Sequence, residues 1–132
     1  MNWGEAVEDV TILVQKEVVR LNANRLEELY AQLGEAGAED VVCRALEELA
    51  LRLSHTERCH REGRLSDMRK SARSLVAIAD QIGMQALSRV AADVTISADR
   101  RDHVAIAATL SRLLRIGDCS LSEVWEMQDL SI

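Results

Sequence analysis

The stretch that decides the fold is Leu65-Ser66-Asp67-Met68-Arg69-Lys70-Ser71-Ala72-Arg73-Ser74-Leu75-Val76-Ala77-Ile78-Ala79-Asp80-Gln81-Ile82-Gly83. Leu65, Met68, Ala72, Leu75, Ala79 and Ile82 recur three and four residues apart, the spacing of an apolar seam along one side of a helix. Arg69, Lys70, Arg73, Ala77 and Asp80 fall on the opposite side, and Val76 sits at the edge of the seam. Gly83 suits the left-handed residue that ends a helix. The pattern predicts an amphipathic helix from near Ser66 to Gly83, packed on others of its kind.

The same period extends in both directions. Val42, Leu46, Leu49 and Leu53, with Ala45 beside them, predict a helix that starts after Gly37 and ends near Gly63. Leu87, Val90, Ala91, Val94 and Ala98 predict another over Met84 to Asp99. Arg100-Arg101-Asp102 reads as a turn with Asp102 as N-cap. The next helix, His103 to Ile116, is expected to bury Val104, Ala107, Leu110 and Leu114, with Ile106 and Leu113 widening its apolar face; Gly117-Asp118 is expected to close it. Ser120-Leu121-Ser122-Glu123 has the form of a capping box for a short last helix carrying Val124, Trp125 and Met127. At the front, Val7, Val10, Val14, Val18 and Leu21 form one stripe, and Leu26, Leu29 and Leu33 a second, out of phase with it. Between them, at Leu21-Asn22-Ala23-Asn24, either a long helix stutters or it breaks with Asn24 as a new N-cap. No segment alternates with a period of two, so no strand is predicted. The expected fold is all-α: one domain over residues 1–132, an antiparallel four-helix-type bundle with an added long N-terminal helix and a short C-terminal one.

Composition agrees. The chain has 132 residues, no Pro and no Phe, and its only aromatic residues are Trp3, Tyr30 and Trp125. Base stacking, the usual means of holding single-stranded nucleic acid, has almost nothing to work with. The net charge is −6, and residues 1–64 hold 13 acids against 8 bases. Phosphate backbones and anionic membranes are therefore not expected partners. No apolar run approaches the length of a bilayer span, and Met1-Asn2-Trp3-Gly4-Glu5 lacks the features of an export signal. Cys43, Cys59 and Cys119 form no paired framework, which suits reduced thiols and a cytoplasmic location.

Around the deciding stretch the chain resembles the histidine-containing phosphotransfer (HPt) domains of bacterial phosphorelays. Their signature helix reads roughly Ala-His-Ser-Leu-Lys-Gly, followed by a second Gly ten residues after the His. Here Ala72-Arg73-Ser74-Leu75-Val76-Ala77 stands in that register, and Gly83 lies ten residues after Arg73. Gln85-Ala86-Leu87-Ser88-Arg89-Val90-Ala91 is similar to the helix that follows, and Thr109-Leu110-Ser111-Arg112-Leu113-Leu114 is compatible with the last bundle helix. The resemblance covers about residues 38–116. It implies an HPt-like bundle whose partner is a response-regulator receiver domain or a histidine kinase.

The departures bear on chemistry. Arg73 stands at the phosphoacceptor position, Val76 at the Lys position and Ala77 at the first Gly position. A guanidinium stays protonated in proteins and has no free lone pair with which to take a phosphoryl group. Val cannot neutralise phosphate charge. The resemblance thus implies a non-catalytic member that binds a partner through Arg69, Lys70, Arg73, Val76, Ala77 and Asp80. Two other readings stay open. One is a homo-oligomeric scaffold, a homodimer through the first helix, whose Ile12, Leu13 and Val19 lie outside its main stripe. The other is an active phosphotransfer protein using His55, His60 or His103. His55 and Cys59 have the four-residue spacing of a metal pair, with His60 adjacent, but no second pair completes a site, so no metal or cofactor is expected. Glu27-Glu28 and Glu47-Glu48 have Arg25, Arg44 and Arg52 in reach and read as solvated faces.

Overall fold

The computed structural model describes residues 23–130, with side chains described over residues 24–122. The first predicted helix lies largely outside these bounds. Within them the chain forms four helices joined by three-residue connections, with no strand: α1 (Ala23–Arg61), α2 (Leu65–Gln81), α3 (Gln85–Asp99) and α4 (His103–Leu130).

Each helix packs on the next along the chain, and α1 and α4 close the ring with a thinner contact. Connections of three residues leave no room for a crossover, so neighbours run antiparallel. The α1–α2 and α3–α4 turns therefore share one end of the bundle. The core consists almost wholly of aliphatic side chains: Leu46 and Leu49 from α1, Met68 and Leu75 from α2, Leu87 and Val94 from α3, Ile106 and Leu113 from α4, all fully buried. Ile82 and Met84, flanking Gly83, are buried with them. The seam read from Leu65 to Ile82 is thus the inner face of α2, and the α3 positions expected inward are all buried.

All three connections use one backbone device. A residue in the left-handed region ends each helix: Gly63 (φ 72°), Gly83 (φ 77°) and Arg101 (φ 52°). Its N–H returns to the carbonyl three residues back, and the next N–H to the carbonyl five back. The pairs are Gly63 to His60 (3.1 Å) with Arg64 to Cys59 (2.9 Å), Gly83 to Asp80 (3.3 Å) with Met84 to Ala79 (2.8 Å), and Arg101 to Ala98 (3.1 Å) with Asp102 to Ser97 (3.3 Å). These bonds satisfy the last carbonyls of each helix. Asp102 also caps α4, its Oδ1 accepting from the Ala105 N–H at 3.1 Å, as its position predicts.

Several boundaries differ from expectation. The helix expected to start after Gly37 starts after Gly34, whose backbone (φ 74°, ψ 175°) is open essentially to Gly alone, and Gly37 is helical; the stutter or break read at Leu21 to Asn24 lies largely outside the described residues. Before the break, residues 23–33 reach the far end of α2, where Arg25 Nε donates to the Gln81 carbonyl at 2.8 Å and Leu29 is buried. Leu33, expected in the same stripe, is 48% exposed. Helix α4 does not stop at Gly117-Asp118 but runs to Leu130, and Ser120 Oγ donates to the Ile116 carbonyl of the preceding turn instead of capping a new helix. Gly117 is a close-approach site: a Cβ there would lie 2.5 Å from Leu53 Cδ1 of α1. The buried face of α4 is also rotated. Ile106, Leu110, Leu113 and Ile116 are buried, Ala107 is exposed, and Val104 is 81% exposed. Ile106 and Leu113, expected at the margin, are at the centre.

Candidate functional site

The outward face of α2 is built on a rigid base. Met68, Ala72, Leu75 and Ala79 are fully buried beneath it. Beside them Ser71 joins a polar contact with α1. Thr56 Oγ1 donates to the Arg52 carbonyl (2.6 Å) and lies 2.7 Å from Ser71 Oγ, which also reaches that carbonyl at 3.2 Å. Both hydroxyls are buried and partnered, so the contact sets the register of α2 on α1 without an orphaned group.

Of the six residues expected on the recognition face, Lys70, Arg73, Ala77 and Asp80 are exposed. Val76 is half-buried and packs against the core, matching its place at the edge of the seam. Arg69 is already engaged. Its Nε and Nη2 donate to the two Asp99 carboxylate oxygens of α3 at 2.5 and 3.3 Å. The hydrogen bond, and then the charge of Asp99, raise the Arg69 pKa above its ordinary value. Arg69 thus joins α2 to α3. Lys70 and Arg73 form no ion pair among the described residues. Arg73 stands mid-helix, with the small Ala77 one turn further on and Ser74 beside it donating to the Lys70 carbonyl at 3.1 Å. The result is an exposed cation over a low surface, held by packed aliphatic side chains.

The histidines are placed differently. His55 and His60 are half-buried near the end of α1, and His103 is exposed at the start of α4. His55 Nε2 lies 3.5 Å from the buried Cys59 Sγ. Among the described residues no three His, Cys, Asp or Glu side chains gather as a metal-binding group. A shallow groove of about 360 Å³ runs between α1 and α2, lined by Val41, Arg44, Ala45, Glu48, Ile78 and Gln81. It lies on the α1 side of α2, away from the Arg69–Asp99 side. Two features of the opposite bundle end were missed in the sequence: the left-handed backbone of Arg101 and the exposure of Val104. The turn residues themselves were legible there, but which helix face turns inward was not. Among the described residues no helix is long and apolar enough to cross a membrane. No protein-family model, curated protein or solved structure matches this chain.

Proposed function

We propose that this chain is a non-catalytic, HPt-like signalling adaptor that binds a receiver domain or histidine kinase through the outward face of α2. The observation that carries this reading is Arg73: an exposed guanidinium without an ion pair among the described residues, mid-helix, ten residues before a Gly83 in the left-handed conformation. The resemblance places the phosphoacceptor at that point. A fixed cation there meets the clustered carboxylates of a receiver by charge-assisted hydrogen bonds and transfers nothing. Lys70 adds charge, and Ala77 and Val76 supply a low apolar margin.

Titration against a panel of receiver domains tests this reading. One receiver is expected to bind, and Arg73→Ala is expected to weaken it by about tenfold, as loss of a charged interface anchor does. Incubation with a receiver charged by acetyl phosphate is expected to leave the chain unlabelled. Histidine labelling would establish the active phosphotransfer reading instead. Absence of binding across the panel, with the protein folded, would overturn the proposal.

A second reading, a homo-oligomeric scaffold, draws on Tyr30 and Leu33, which are 43% and 48% exposed on residues 23–33. Ile12, Leu13 and Val19, the surplus apolar residues of the first predicted helix, lie outside the described residues.

A further inference from the structure

The end of the bundle that holds the α1–α2 and α3–α4 turns differs in charge from the chain as a whole. Its acids are committed: Glu57 faces Arg61 at 4.0 Å, Glu62 and Asp67 face Arg64 at 2.8 and 3.4 Å, Asp99 holds Arg69, and Asp102 caps α4. Arg58, Arg100 and Arg101 are exposed and form no ion pair among the described residues. A protein of net charge −6 therefore presents surplus cation at this one end. Beside it stands Val104, the most exposed of the large apolar side chains described, at 81%.

Arg101 adds an independent observation. The three turns share one hydrogen-bonding pattern, and two of them place Gly at the left-handed position. The third places Arg there, against a steric cost that Gly avoids. A side chain kept on unfavourable backbone, where the sister turns show the unstrained solution, points to a use for that side chain.

We propose that this end of the bundle is a docking surface for a carboxylate-rich segment of a partner protein. Arg58, Arg100 and Arg101 engage its carboxylates, and Val104 packs on an apolar side chain of the same segment. Guanidinium groups bind carboxylates through paired, charge-assisted hydrogen bonds. A short segment meets only this end, and screening over about 8 Å hides the acidic remainder of the molecule from it. A nucleic acid or an anionic bilayer extends further and meets that acidic surface, and no aromatic side chain among the described residues lies at this end for stacking. The surface is separate from the Arg73 face, so either can fail alone.

Amide chemical shifts of the full chain, titrated with a short synthetic peptide alternating Glu and Leu, test this. Shifts are expected around Arg58 to Arg64 and Arg100 to Ala105. Arg100→Glu with Arg101→Glu should weaken binding by about tenfold or more, and Val104→Asp should weaken it as well. Arg101→Lys should retain binding. Arg101→Gly should weaken binding while raising the melting temperature by about 3 °C, because the strain is relieved as the cation is lost. Absence of shifts, shifts centred on Arg73, a stronger response to phosphatidylserine vesicles or to a single-stranded oligonucleotide, or a lower melting temperature for Arg101→Gly would each overturn the proposal.

Discussion

Leu75 and Arg73 are two residues apart and face opposite ways. Leu75 is fully exposed to packing and hidden from water; Arg73 is the reverse. Replacing Leu75 with Ala leaves a cavity among aliphatic neighbours and should cost about 2–5 kcal/mol, read as a lower denaturation midpoint. An unchanged midpoint would refute the register of α2. The Thr56–Ser71 contact is the polar counterpart. Thr56→Val removes the donor to the Arg52 carbonyl but leaves Ser71 able to reach it, so the expected cost is about 1 kcal/mol. At this scale the seam was legible, because three- and four-residue spacing reports burial directly. The pairing of two hydroxyls fifteen residues apart was not, because it depends on how α1 and α2 are staggered.

At the scale of elements, the three turns set the antiparallel order of the helices. Nothing lies within 4 Å of a Cβ built at Gly63. The penalty for Gly63→Ala is therefore one of backbone alone, about 1 kcal/mol, seen in thermal or chemical unfolding. Asp102→Ala should cost about 1 kcal/mol through loss of the cap on α4. A neutral outcome for either would mean that the turn relaxes to another geometry. The turn sites themselves were legible from Gly63, Gly83 and Asp102. The end of α4 departs from its sequence pattern for a physical reason: Gly117 and the capping-box pattern at Ser120 are local stop and start signals, and packing overrides both. Gly117 stays helical where α4 comes closest to Leu53 of α1, a place where the missing side chain is useful to packing.

For the molecule as a whole, antiparallel order and charge act together. It gathers two turns at one end, and with them Arg58, Arg100 and Arg101, which are scattered in sequence. It also leaves Tyr30 and Leu33 on the outside of residues 23–33. If those side chains are shared between copies, the chain should sediment as a dimer at micromolar concentration, and Tyr30→Asp with Leu33→Asp should shift it toward monomer. A monomeric wild type would remove the scaffold reading and leave the adaptor reading intact.

The sequence by itself determined the fold class, the inner faces of α2 and α3, the turn sites after both, and the exposure of Arg73. Each of these follows from local rules, namely helical period, left-handed Gly and capping chemistry, which act within a few residues. The tertiary structure alone decided the rotation of α4, which exposes Val104 and buries Ile106 and Leu113. It alone decided the commitment of Arg69 to Asp99, thirty residues away, and the grouping of Arg58, Arg100 and Arg101 at one end. The apolar face of α4 is wide enough to pack in more than one orientation, and only the shape of the groove formed by α1 and α3 selects between them. Such a choice depends on contacts between elements, which no spacing within one element records.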